Sequence, residues 1–210
     1  MADKYLDLLE AHRETVANRL ADASAQARAA FAASCAEELY PLYLAFAEEE
    51  SGGDPDLVRS ALDAVWQWAE TGADEGIDPA QLADRVADAA PQSDESRSKL
   101  APWAQNAALA TAAALDAWAG EGVDRVGAAS ERVIEAIDYV RPSGDEPPSR
   151  LDVVGAELTR QLRALEQMAN TDNVPAVREE AARGQVAGFV LDALGRRAGR
   201  APKPPSLPSP

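Results

Sequence analysis

The sequence is poor in the residues that most enzymes use for nucleophilic and metal chemistry. It holds one histidine, His12, and one cysteine, Cys35, in 210 residues. One imidazole excludes a multi-histidine metal site and the paired Glu-x-x-His ligands of di-iron carboxylate bundles. One thiol excludes an intramolecular disulfide. No apolar run reaches the ~18 residues of a membrane-spanning helix, so no membrane partner is expected. No basic-then-apolar segment opens the chain either, and a cytoplasmic location is expected. No phosphate-binding loop is present, and neither a cofactor nor a metal-ligand set is expected. Aromatic residues make up only 5% of the chain. With β-branched residues also sparse, strand formation is disfavoured.

Alanine fills much of the remainder, with 46 of 210 residues, and favours helix by intrinsic propensity. The expectation is an all-α fold, a single compact multi-helix bundle of about eight helices over residues 1–195. The Pro-rich basic tail, 196–210, is expected to be disordered. Formal charge is −16, and the tail contains four basic and no acidic residues, which leaves −20 on residues 1–195. Such an acidic body repels a nucleic-acid backbone and attracts a basic protein. Nucleic acid is therefore excluded as a partner, and a basic protein partner is favoured.

Punctuation sets the helices. An N-cap is expected at Asp3. Phe31, Cys35, Leu39, Leu42 and Phe46 then recur at helical spacing and predict one buried stripe. Pro41 lies inside that pattern and predicts a kink or break. Ser51-Gly52-Gly53 stops the helix, and Asp54-Pro55 restarts one with an N-cap acid and a proline at the first helical position. Asp78-Pro79 repeats the device, with Gln81 placed for a capping box. Residues 141–149 form the longest internal linker and are expected to be a mobile loop. One eighth helix is expected to end near Leu194.

Few side chains stand out chemically. His12 is expected on a solvated face, and Cys35 as a small buried hydrophobe with a raised pKa. The acidic run Glu48, Glu49, Glu50 and the pair Asp84 and Asp88 read as solvated surface. Glu37 and Glu38 form a candidate polar site, because Glu38 falls beside Leu42 at the edge of the apolar stripe, where a carboxylate needs a partner. Arg59 and Asp63, one turn apart, read as a surface ion pair. Trp66, Trp68, Trp103 and Trp118 are core residues or, alternatively, the lining of a candidate pocket.

Phe31-Ala32, Cys35, Glu37, Pro41-x-Tyr43, Phe46, Gly53-Asp54-Pro55, Leu57, Arg59, Leu62-Asp63 and Trp66 carry a family likeness. Over residues of about 28–168 the chain resembles the YjaG-like family, domain of unknown function 416. The resemblance implies a compact all-α bacterial protein and brings no established reaction. The sequence departs from the family pattern at Glu38, where arginine is expected, and at Asn106, where an acid is expected. Two functional expectations follow from the whole chain. One is a non-enzymatic acidic interaction module, such as a bacterial immunity protein that neutralises a basic toxin. The other is a small-molecule- or metal-dependent enzyme with a bundle pocket near Glu37 and Glu38, with no catalytic residue assigned.

Overall fold

In the computed structural model, residues 2–50, 52–92, 94, 96–140 and 150–195 are described. The linker 141–149 and the tail 196–210 lie outside them. The described residues form an all-α bundle without strands. Its long helices are α1 (Ala2–Asp22), α2 (Ala25–Glu50), α3 (Pro55–Thr71), α5 (Ala101–Trp118), α6 (Val123–Asp138) and α7 (Arg150–Gln167). Shorter helices are α4 (Pro79–Asp88), α8 (Val174–Ala182) and α9 (Gln185–Ala193).

α2 is the axis of the bundle. It packs against α3, α5, α6, α7, α8 and α9, while α1 lies outside on α6 and α7, and α4 lies on α5. Every residue from Ala29 to Leu39 is buried. The expected stripe of Phe31, Cys35, Leu39, Leu42 and Phe46 is buried, and burial extends beyond it round the helix, which is enclosed by neighbours rather than faced by one. Small side chains make the enclosure feasible: Ala29, Ala30, Ala32, Ala33 and Ala36 of α2 have no exposed surface, and Ala104, Ala107, Ala108 and Ala110 of α5 are equally covered. Alanine on both helices lets their backbones approach closely and makes α2 and α5 a paired core.

The stop and restart signals operate as chemistry predicts. Asp54 Oδ1 accepts from the Leu57 backbone N–H at 2.9 Å, and Asp78 Oδ1 accepts from Ala80 and Gln81 at 3.1 Å each. Each satisfies orphan donors of a first helical turn that begins with proline. α2 itself runs through Pro41 to Glu50 as one helix, so of the expected kink or break the break does not occur. The missing proline donor removes one bond from a helix that is held across this point by the buried face of Leu39, Leu42, Tyr43 and Phe46. At the other end of the chain, Asp3 lies inside α1 and not before it. The expected eighth helix is divided into α8 and α9, with Gly184 between them at φ +55°. That left-handed conformation ends one helix and re-aims the next.

Tyr43 ties these breaks together. Its hydroxyl donates to the Ala89 carbonyl at the end of α4 (2.8 Å) and accepts from the Asp54 N–H at the start of α3 (3.1 Å). Gly53 packs so closely that a Cβ built there would sit 2.7 Å from the same hydroxyl, and its φ is +75°. The Tyr43 and Gly53-Asp54-Pro55 elements of the sequence pattern are therefore parts of one joint.

Candidate functional site

Glu37 and Glu38 occupy consecutive positions on the buried middle of α2. Successive helical residues diverge by about 100°, so the two carboxylates enter different environments. Glu37 faces α3. Its Oε1 and Oε2 accept from the two terminal nitrogens of Arg59 at 2.7 and 3.1 Å, and Oε2 also accepts from the Trp66 indole N–H at 3.0 Å. Arg59 reaches Asp63 at 2.9 Å, and Arg178 of α8 pairs with the same Asp63 oxygen. The Arg59 guanidinium lies 5.0 Å from the Tyr40 ring centroid. Burial alone would lower the Arg59 pKa, but the Glu37 hydrogen bonds and the charges of Glu37 and Asp63 hold it above its ordinary value. Arg59 and Asp63 thus belong to a network spanning three helices, not to the isolated surface pair expected from their spacing.

Glu38 faces α7 and α9 and is only 1% exposed. Its Oε1 lies 3.4 Å from Arg160 Nε, and its Oε2 accepts from the Val186 backbone N–H at 3.3 Å. Arg160 is committed elsewhere: its Nε and one terminal nitrogen donate to the two oxygens of Glu157, each at 2.8 Å. Two buried carboxylates thus share one guanidinium. Burial, and next the Glu157 charge, push the Glu38 pKa up to about 7, against the opposing pull of Arg160 and the Val186 N–H. Glu38 therefore titrates near neutrality.

From Glu157 the polar chain continues to α1. Glu157 Oε1 accepts from the Gln161 amide at 2.7 Å, and Gln161 Oε1 accepts from Ser130 at 2.5 Å and lies 2.8 Å from His12 Nε2. Because that amide oxygen only accepts, His12 carries its proton on Nε2. His12 is buried and not solvated as expected, and its Nδ1 has no hydrogen-bond partner. Burial lowers its pKa, with the Gln161 bond and the Glu157 charge opposing. Cys35 is fully buried, and burial pushes its thiol pKa up to about 12.

The four tryptophans fall in three places. Trp66 is bound to Glu37. Trp68 stacks on Trp118 with centroids 5.3 Å apart, and Trp103 donates to the Ala136 carbonyl at 2.7 Å beside Tyr139. Two cavities lie elsewhere among the helices, and neither is lined by tryptophan. One, of about 440 Å³, lies between α1 and α6 against Leu9, His12, Val16, Ser130 and Ile134. The other, of about 730 Å³, lies between α7 and α8–α9, with Glu38, Glu157 and Arg160 in its lining. Of the two departures from the family pattern, Glu38 enters this cleft. Asn106 instead pairs with Arg132, accepting at 3.0 Å.

Sequence reasoning missed Glu157, Arg160, Gln161 and His12. The available signal was the spacing of Glu157, Arg160 and Gln161, three and four residues apart, which places them on one face of α7 beside the buried Val154, Leu158 and Leu165. Elsewhere, Glu49 accepts from the Ser98 hydroxyl at 2.6 Å and Glu50 bonds the Ser98 backbone, which anchors the chain before α5. Among the described residues, no group of three or more His, Cys, Asp or Glu is placed to hold a metal ion, and no helix is long and apolar enough to cross a membrane.

Comparison with known proteins gives a family without a reaction. The family described as "Protein of unknown function (DUF416)" matches residues 15–187. A crystal structure of a DUF416 family protein from Shewanella baltica OS155 superposes with a TM-score of 0.65 at 20% identity, covering 80% of this chain and 93% of that one. That likeness extends to the fold. No curated protein matches.

Proposed function

The chain belongs to the DUF416 family of proteins of unknown function, and we propose that it is a non-enzymatic acidic module that docks a basic protein. The observation that carries this reading is the α3–α4 face. Residues 52–92 contain nine acidic and two basic side chains, and one of the two, Arg59, is bound to Glu37 and Asp63. A groove of about 610 Å³ runs along this face, lined by three acids, Asp54, Asp56 and Asp78, and one base, Arg85, beside Leu57, Ile77 and Leu82. Apolar contact with an anionic rim suits a basic amphipathic partner, whose approach the field would steer. A bacterial immunity protein that neutralises a basic toxin in the cytoplasm is the concrete form of this proposal.

Association with a basic protein encoded beside it tests the reading. Asp56→Lys with Gln81→Lys reverses the groove's charge without touching the Asp54 and Asp78 caps, and is expected to slow association about tenfold at low salt. A complex indifferent to both substitutions and to salt would overturn it. A second reading, a small-molecule site near Glu38, is favoured by the polar cleft beside α7.

A further inference from the structure

We infer that the cleft between α7 and α8–α9 binds a small organic cation, an alkylamine or guanidino compound, whose charged head pairs with Glu38. This site is separate from the α3–α4 groove and stands whether or not that groove docks a protein. Charge pairing within the lining is the first support. Four glutamates and three arginines line the cleft, and each arginine has a glutamate of its own: Arg160 with Glu157, Arg163 with Glu180, and Arg183 with Glu179, at 2.8, 2.8 and 2.7 Å. Glu38 is the carboxylate with no arginine to itself. It has only the 3.4 Å approach of Arg160 and the 3.3 Å bond from Val186 N–H, a neutral donor. A carboxylate buried without a full countercharge is costly, and a cation at this position removes the cost.

The second support is an acceptor without a donor. Gln167 lines the same cleft, and its buried Oε1 has no hydrogen-bond partner. It follows Arg160 by two turns of α7, about 10 Å along the helix. An ammonium offers three donors and a guanidinium five, which suits a lining that supplies surplus acceptors. Other ligand classes fit less well. An anion would have to take Arg160 from Glu157 and approach Glu38, whereas an apolar molecule would strip water from a lining rich in charge. At about 730 Å³ the cleft is of small-molecule size.

Proton balance makes the inference testable. The charged groups facing Glu38 are Arg160 and Glu157 on α7 and Glu180 on α8; α2 offers the neutral Cys35 thiol, and α9 the Val186 N–H. Burial and the Glu157 charge raise the Glu38 pKa to about 7, so its ionised fraction grows as pH rises through neutrality. Binding a cation expels that proton to solvent, so affinity rises with pH.

Isothermal titration calorimetry on the full chain is the test, with 1,4-diaminobutane and butylguanidine as probes and butyrate and butanol as controls. The expected result is binding of both cations, about tenfold tighter at pH 8 than at pH 6, as the ionised fraction of a group with this pKa requires. At pH 6 the heat should depend on the buffer, because a proton is released. Glu38→Gln retains shape and, with circular dichroism unchanged, should weaken binding at pH 8 at least about tenfold and abolish the pH dependence. Gln167→Leu should weaken binding but leave the pH dependence in place. Failure of either cation to bind the wild-type chain, equal binding by Glu38→Gln, or equal binding of butyrate would overturn the inference.

Discussion

The indole N–H of Trp66 donates to Glu37 Oε2 at 3.0 Å, on a carboxylate that already receives both terminal nitrogens of Arg59. Three donors from one helix converge on one acidic group of another, and α2 is thereby keyed to α3 in a single register. Glu37→Gln should cost about 3 kcal/mol of stability, because it removes the buried countercharge of Arg59 while leaving the guanidinium in place. Trp66→Phe deletes one hydrogen bond and indole packing but leaves the ion pair intact, so its effect should be smaller. Urea denaturation at pH 7 measures both, and a double-mutant cycle between Glu37 and Arg59 should show strong coupling. Equal, additive losses would contradict the keying.

Tyr43 and Gly53 make a second coupled pair. Tyr43→Phe removes a hydroxyl that bonds two backbone groups, and is expected to cost about 1–3 kcal/mol. Gly53→Ala meets that hydroxyl and a positive φ together, and should cost at least as much. Combined with Tyr43→Phe, its cost should shrink, because the nearest clashing atom is gone, whereas the backbone strain and the ring carbon at 3.2 Å remain. Thermal unfolding of the two single variants and the double variant reads this non-additivity.

Cys35 supplies a probe of opening. Its side chain is fully buried and its thiol is pushed to about 12, so a thiol reagent at pH 8 finds neither access nor thiolate in the folded chain. Labelling should therefore proceed only through opening, and its rate should rise with urea in parallel with unfolding. Rapid labelling of the native chain in buffer would show that α2 is less enclosed than its packing indicates.

What was legible in the sequence was local. Asp54-Pro55 and Asp78-Pro79 announce helix starts because capping depends on neighbours within three residues, and both operate as written. The burial of Glu38 and its need for a partner followed from its position beside Leu42. The partner did not, because Arg160 lies on a helix more than a hundred residues away and its approach depends on how α2 and α7 pack. His12 illustrates the same limit. Its setting on α1 reads as polar until Gln161 and Ser130 arrive from α7 and α6. The all-round burial of α2 was likewise hidden, since alanine is neutral to periodicity and becomes informative only when another alanine-rich helix packs on it.

Glu38 and His12 titrate with opposite consequences for stability. Glu38 has a folded pKa of about 7, above its ordinary value of 4.5, so the folded chain holds this proton more tightly than the unfolded one. Its contribution is most favourable below the unfolded pKa and is lost as pH rises through the folded pKa, a change on the order of 3 kcal/mol. His12 has a folded pKa lowered from 6.5 by burial, so the unfolded chain takes the proton first as pH falls. Its contribution is complete above 6.5 and declines below it. The Glu38 loss accumulates between its unfolded and folded values, from about pH 4.5 to about 7, so Glu38→Gln should gain on the wild type across that window and be the more stable protein at pH 8. His12→Gln should remove the opposing rise that His12 supplies as pH increases toward 6.5, and so steepen the fall that Glu38 causes. Urea midpoints across pH 4.5–8.5 for the three proteins check the signs separately, and a Glu38→Gln curve parallel to the wild type from pH 4.5 to 7 would assign that proton to another group.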